Sequence, residues 1–308
     1  MRLFKNRGDI YIPKSGKGNS KEARILYVLL VFIVLFTVAF LIFMSNKYKS
    51  AAAFFGDGEV TLTEAADNNE LILPSISGKT NYLIIETDDE ETFPHYLILL
   101  QADKDNLAYK AAALSSDMVI DDKSVKDIYL EGGGAALQTR LAEYLGCEID
   151  YYAEFTSSSF VDFTDKLGNI IYPVISDIRF SGGSEDDKYT IHFNEGEQKL
   201  SGRDITNLLR YFGEENKDYS LESELALRAV TGLINAENYE NAESLFRLFI
   251  KSGKTDITVR DFENNKNSIY VFAQKSTEIT LYNVTTEFDE NNVITQNAVK
   301  EIKGYFSK

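Results

Sequence analysis

An uninterrupted apolar stretch near the amino terminus constrains this sequence more than any other feature. Ile25 to Met44 contains twenty residues without a charged side chain. A helix of that length rises about 30 Å at about 1.5 Å per residue, which matches the hydrocarbon core of a bilayer. The sequence therefore predicts one transmembrane helix over residues 25–44, and it leaves the residues after that helix to form a large folded domain.

The charges on either side of the apolar stretch predict its orientation. Residues 1–24 carry seven basic and two acidic side chains, and the positive-inside rule keeps such an arm in the cytoplasm. Residues from Lys47 onward would then lie outside the cell, anchored in the cell membrane by a single span. A cleaved signal peptide is the alternative, because Ala51, Ala52 and Ala53 could form a cleavage site. However, the apolar core of a signal peptide usually has only about 7–15 residues.

Charge and residue usage exclude several classes of function. The net charge is −16 and comes entirely from residues after the apolar stretch, so we expect no nucleic-acid partner. Cys147 is the only cysteine, which excludes an intramolecular disulfide, and we expect it to be a small buried residue. The two histidines, His95 and His192, leave few ligands for a zinc or non-haem iron site.

Short apolar runs alternate with helical periodicities from residue 81 onward. Strands are predicted at 82–85, 96–100, 107–114, 149–155, 170–174 and 276–284, with a hairpin within 180–198. Helices are predicted at 136–145, 158–167, 201–212, within 221–234, within 239–250, and at 297–303. This alternation predicts an α/β fold, an α/β/α layered mixed sheet preceded by the transmembrane helix.

The same reading divides the chain into five parts. These are a cytoplasmic basic arm (1–24), the transmembrane helix (25–44), an extracytoplasmic stalk (45–80), the α/β domain (81–275) and a strand-helix extension (276–308).

Three ordered stretches of the sequence are informative when they are taken together. Residues 126–134 read KDIYLEGGG, residues 145–168 contain LG, IDYY and a closing LG, and residues 196–202 read GEQKLSG with Arg210 behind them. In this order and spacing they resemble the LytR-CpsA-Psr family of Gram-positive envelope proteins over roughly residues 80–270. The resemblance implies an activity, because family members transfer anionic glycopolymers from polyprenyl pyrophosphate carriers to peptidoglycan.

That activity requires positive charge around a pyrophosphate, supplied by arginines and by a magnesium ion held on carboxylates. At the family's first motif, Asp88 is retained, and with Asp89 it is the implied magnesium site. His95 stands where the family has a second aspartate, and no arginine accompanies it. The acidic loop of residues 88–91 is also consistent with a solvated turn that binds no metal.

The later motifs retain their carboxylates and lose most of their arginines. Ser116 stands at an arginine position before Asp117, and Phe212 replaces the second arginine of the motif that contains Arg210. Asp218 is kept where the family has an aspartate followed by two arginines, and both of those arginines are absent. The resemblance therefore implies Arg210, Asp117 and Asp218 as ligand-binding residues. Alternatively, Arg210 forms a helix-end ion pair, and Asp117 and Asp218, which lack arginine partners, cap or turn the chain.

These losses favour a degenerate family member that acts as a binding or scaffolding module in cell-wall assembly. Its expected partners are an envelope protein, such as an active relative, and a polyprenyl-phosphate lipid. Four aromatic residues either line a groove for the lipid chain or belong to the core: Tyr151, Tyr152, Phe155 and Phe160. The alternative is an active phosphotransferase that attaches a glycopolymer to peptidoglycan, with a metal on Asp88, Asp89 and Asp117 in place of the arginines.

Overall fold

A mixed sheet forms the centre of the fold in residues 73–183 and 188–308, the part of the chain that the computed structural model describes. The strands are β1 (Lys79–Thr87), β2 (Pro94–Asp103), β3 (Ala108–Leu114), β4 (Val119–Ile120), β5 (Lys123–Ser124), β6 (Tyr151–Thr156), β7 (Ile170–Val174), β8 (Ile178–Gly182), β9 (Tyr189–Phe193), β10 (Gly196–Leu200), β11 (Lys254–Thr255) and β12 (Thr280–Asn283). Six of them form the central sheet in the order β11-β6-β1-β2-β3-β12, and the others pair as β4-β5, β7-β10 and β8-β9.

The helices pack on this sheet and connect its strands. They are α1 (Val125–Leu145), α2 (Ser157–Leu167), α3 (Gly202–Arg210), α4 (Tyr219–Leu233), α5 (Ala236–Tyr239), α6 (Ala242–Ser252), α7 (Val259–Gln274) and α8 (Gln296–Phe306). A single π-helical segment, Tyr211–Glu215, follows α3 directly, and we call it the π turn. Strands β1, β2 and β3 are antiparallel neighbours, whereas β6 runs parallel to β1 and β12 runs parallel to β3.

The central sheet is covered on both faces, as its strand β2 shows. Successive side chains of a strand point to opposite faces. Tyr96, Ile98 and Leu100 pack in one hydrophobic cluster with residues of α3 and α4, whereas Leu97 and Leu99 pack in a second cluster with residues of α1 and α8. A strand buried on both faces reads as a continuous apolar run. The prediction of a mixed α/β fold is confirmed.

Local capping explains where the helices begin and end. A capping box begins α3, because the Ser201 side chain accepts from the Asp204 N–H and the Asp204 side chain accepts from the Ser201 N–H. Gly146 ends α1 in the left-handed conformation, with φ of 63°. These positions needed no tertiary information.

The helix predicted at 136–145 is present as the second segment of α1, and the segment before it was not predicted. The helix begins at Val125, capped by the Ser124 side chain, which accepts a hydrogen bond from the Asp127 N–H. Gly132 and Gly133 then interrupt the helix with φ of −166° and 63°. Glycine permits such a break at low steric cost, so α1 consists of two helical segments joined at these glycines, and the KDIYLEGGG stretch contains the first segment and the break.

The described residues leave the membrane anchor untested. No helix among residues 73–183 and 188–308 is long and apolar enough to cross a bilayer. The apolar stretch at 25–44 and the basic arm lie outside the described residues, so the transmembrane helix and its orientation stay predictions. The strand and helix predicted within 276–308 correspond to β12 and α8.

Candidate functional site

Ionisable side chains are buried where β1 ends and β2 begins. The register of these strands places Glu86 opposite Tyr96. The α3 helix and the π turn contribute Arg210 and Glu214 to the same region, and α4 contributes Glu222. Because several of these groups influence one another electrostatically, we treat this region as the candidate site.

Glu86 is completely buried at the base of this region. The Ser157 hydroxyl donates to one carboxylate oxygen, and the Thr206 hydroxyl lies 3.3 Å from the other. Burial raises the pKa of the Glu86 carboxyl above its ordinary value despite these contacts. Burial and the neighbouring Glu86 also raise the pKa of Tyr96, so its hydroxyl stays protonated.

Arg210 is enclosed by the protein and paired within it. Only 3% of its surface is exposed, and its guanidinium carbon lies 4.6 Å from the centre of the Tyr189 ring. The Arg210 Nε is 3.8 Å from one oxygen of Glu214, whose other oxygen lies 2.6 Å from His95 Nδ1. The cation that the family resemblance implies for anion binding therefore contacts an aromatic ring and a carboxylate of its own chain.

Glu222 is the most unusual group at this site. It is 1% exposed, and neither of its carboxylate oxygens has a hydrogen-bond partner. Burial, reinforced by the negative charge of Glu214, raises the pKa of Glu222 well above its ordinary value. The protein thus favours the neutral, protonated carboxyl at this position.

The two predicted magnesium ligands are engaged by the backbone around them. Asp88 accepts from the Thr92 and Phe93 N–H groups, and Asp89 accepts from the Ser158 N–H at the start of α2, 2.9 Å away. Burial alone would raise the pKa of Asp88, but these hydrogen bonds outweigh it and lower the pKa.

The described part of the chain shows no group of three acidic, histidine or cysteine side chains arranged to hold a metal. The backbone hydrogen bonds use Asp88 Oδ1 and Asp89 Oδ1, so they would compete with a magnesium ion for those two oxygens. Magnesium binding stays a prediction.

The other predicted ligand residues have structural roles at separate positions. Asp117 is exposed and lies 3.8 Å from the Lys217 ammonium. Asp218 caps α4, since its side chain accepts from the Leu221 N–H at 3.0 Å. The structure therefore places Arg210 in the buried cluster, whereas Asp117 pairs with Lys217 and Asp218 caps α4.

Another buried carboxylate, which the sequence alone did not predict, supports the acidic loop. Glu154 accepts from the Tyr129 hydroxyl at 2.9 Å and from the Gly134 N–H at 2.8 Å, just after the kink of α1. Lys254 pairs with both Glu154 and Glu91. This network ties the loop after β1 to α1, β6 and β11, so it positions the rim of the site.

A row of aromatic rings leads from the site toward α6 and α7, and we call it the aromatic chain. Neighbouring rings in it have centroids 4.4 to 6.2 Å apart. Its members, in order, are Tyr96, Phe160, Phe155, Phe163, Phe249, Phe246 and Phe262. Phe155 and Phe160 were predicted to lie together, and they do, whereas Tyr151 stacks on Tyr82 instead.

The arrangement has a clear chemical character. Its buried groups are carboxyls, a phenol and an imidazole, with one guanidinium that is already paired. Such a cluster can hold and exchange protons, and its aromatic chain can pack against apolar groups. It does not present the several converging cations that a pyrophosphate requires.

Comparisons with known proteins agree with this fold. The LytR_cpsA_psr family matches over residues 96–305, which is more than half of the chain. A protein from Eubacterium siraeum, described as a transcription regulator, has 18% identity and a TM-score of 0.64, with 79% of this chain and 98% of that chain covered. B. subtilis TagV has 18% identity and a TM-score of 0.57, with coverage of 75% and 96%.

TagT, solved bound to LI-WTA, has 12% identity and a TM-score of 0.54, with coverage of 74% and 89%. No curated protein matches the sequence.

Proposed function

Because the chain belongs to the LytR_cpsA_psr family, we propose that it is an envelope protein of cell-wall assembly that binds a partner without transferring a glycopolymer. It would be anchored in the cell membrane by residues 25–44, with its α/β domain outside the cell. The family and the structural relatives support the general kind of protein, and the features below support the finer assignment.

The internal pairing of Arg210 is the observation that carries this proposal. Transfer from a pyrophosphate needs preorganised donors at the developing charge, and loss of one such donor typically costs about 10²–10³ in rate. Here Ser116 and Phe212 replace arginines of the family motifs, and the remaining guanidinium is held by Tyr189 and Glu214. Several donors are therefore missing together, and useful transfer is not expected.

Two features suggest what the module binds. The residues after the apolar stretch are strongly acidic, so anionic polymers would be repelled within a Debye length of about 8–10 Å. A protein of the envelope, such as an active relative, fits this surface better. The aromatic chain offers apolar area suited to a polyprenyl-phosphate lipid, whose binding would not need the lost arginines.

The decisive experiment measures binding of a polyprenyl pyrophosphate to the full-length protein in detergent, with and without magnesium. We expect any binding to be independent of magnesium and to be reduced when Phe249 is replaced by alanine. Glu237→Ala, an exposed change on α5, is the matched control. Saturable binding that requires magnesium, together with transfer to peptidoglycan fragments, would instead establish the active phosphotransferase.

The partner and the orientation need separate measurements. Crosslinking in intact envelopes should capture another envelope protein, and recovery of the monomer alone would contradict the scaffolding role. Protease added to intact protoplasts should digest the domain and leave residues 1–24 protected. A domain that resists until the cells are lysed would reverse the proposed orientation.

A further inference from the structure

The buried carboxyl of Glu222 faces the π turn at very short range. A Cβ atom added to Gly213 would lie 2.7 Å from one Glu222 oxygen, so the backbone of the turn rests almost directly on the carboxyl group. The next residue, Ser223, is fully buried and accepts from the Ala113 N–H at 2.7 Å, which fixes α4 on the sheet. Because α4 is held in this way, the π turn is the element that can move away from Glu222.

The ionisable groups around Glu222 would not stabilise its charged form. Glu214 faces it from the π turn, Tyr96 from β2 and Tyr219 from its own helix. Glu86 lies beyond Tyr96. The two cationic candidates, Arg210 and His95, contact Glu214 and form no hydrogen bond to the Glu222 oxygens.

Ionisation of Glu222 would place a second negative charge near Glu214 in an environment without water, which costs free energy. Opening of the π turn would lower that cost, because water could then solvate the carboxylate.

The π turn is suited to such opening. It is closed by two backbone hydrogen bonds of 2.8 Å, from the Asn216 N–H to the Tyr211 carbonyl and from the Asp218 N–H to the Phe212 carbonyl. A π-helical turn is rare and occurs mostly at functional positions within helices. It also follows Arg210 directly and carries Glu214, so its movement would change the surroundings of both residues.

We propose that Glu222 is a proton-operated latch for the π turn. With its proton, the neutral carboxyl lets the turn close on α4. Without the proton, the turn moves away, water reaches the carboxylate, and the His95, Glu214 and Arg210 group becomes exposed. Rising pH thus opens the site. The latch is independent of the proposed binding function, because it concerns the opening of the turn and not the identity of any ligand.

The test is hydrogen exchange at the Asn216 and Asp218 amides of the full-length protein, from about pH 5 to about pH 9, corrected for the intrinsic exchange rate. Between the ordinary pKa of a solvated glutamate, about 4.3, and the raised pKa of buried Glu222, we expect the open fraction in the unmodified protein to rise up to about tenfold per pH unit and to level off above that raised pKa. Glu222→Gln and Glu222→Met, which cannot ionise, should abolish this rise. Glu224→Gln, at a partly exposed position on the same helix, should leave it unchanged.

Three results would overturn the latch. In the first, hydrogen exchange at the Asn216 and Asp218 amides keeps its full pH dependence in either uncharged Glu222 variant. In the second, Glu224→Gln abolishes that pH dependence. In the third, exchange rises equally throughout the domain. The last result would indicate global unfolding. If Glu222→Gln does not fold, Glu222→Met supplies the comparison, since its side chain fills a similar volume without a polar group.

Discussion

Replacement of Arg210 by alanine distinguishes a structural role from a ligand-binding role. The change removes a desolvated contact between the guanidinium and the Tyr189 ring, which is worth up to about 2 kcal/mol. It also removes the buried stem of the side chain and the cation beside Glu214. Glu214 keeps His95 as a partner, so the penalty for an unpaired buried charge is only partial. We expect the free energy of unfolding to fall by about 3 kcal/mol.

Urea unfolding of the purified protein provides the measurement. The midpoint should fall without a change in the slope, and a loss of about 3 kcal/mol lowers the melting temperature of a domain of this size by about 6–12 °C. Arg210→Met retains the packing of the stem and should lose less stability. Arg203→Ala, at an exposed position on the same helix, should change the free energy by less than about 0.5 kcal/mol.

The reasoning is refuted if Arg210→Ala unfolds at the same urea concentration as Arg203→Ala. If the free energy of unfolding is unchanged in Arg210→Ala while affinity for a polyprenyl pyrophosphate falls at least tenfold, Arg210 contacts the ligand. Its contacts with Tyr189 and Glu214 would then not contribute to stability.

Two further predictions follow from the packing. Gly134→Ala should lower the free energy of unfolding, measured by urea unfolding, by about 1–3 kcal/mol, because the added Cβ would lie 2.7 Å from the Tyr152 ring. Gly304→Ala in α8 is the control. Its Cβ would meet nothing within 4 Å, so this variant should be neutral or stabilising in the same assay. Burial alone would raise the pKa of Asp103, but hydrogen bonds and the Lys110 ammonium at 2.9 Å lower it. The ionised Asp103 therefore stabilises the fold fully above the pKa of this carboxyl in the unfolded chain, about 3.9, and this stabilisation is lost as the pH falls through its lower pKa in the folded protein. The urea midpoints of the unmodified protein and of Asp103→Asn should consequently move closer together below about pH 4.

Strands of the central sheet such as β1 and β2 could be predicted because each contains a short, continuous apolar run that can be recognised from neighbouring residues alone. The run Tyr82 to Ile85 is apolar without interruption, and it lies in β1, which packs between β2 and β6. The first segment of α1 was not predicted, because three consecutive glycines favour a turn. The Gly134 N–H donates to the buried Glu154 carboxylate at the start of the second segment, a tertiary contact that composition does not reveal.

The buried carboxyls were missed for a different reason. Glu86 and Glu222 are charged residues in a strongly acidic chain, and most such residues are solvated. A signal was nevertheless present for Glu222. It shares the inward face of α4 with Tyr219, Ala226 and Ala229, at the spacing of a helical stripe. A charged residue within an apolar stripe of a helix indicates a buried ionisable group.

The strand β12 and the helix α8 set the order in which the domain can mature. β12 completes the sheet beside β3, to which it is parallel, and α8 buries Ile302 and Phe306 completely in the second hydrophobic cluster. Ribosomes make these segments after every other part of the described domain. Until they emerge, one edge of β3 is unpaired and apolar side chains of the core are uncovered. The described domain therefore cannot complete its core until the last of these segments has been made, which leaves a long interval for capture by chaperones.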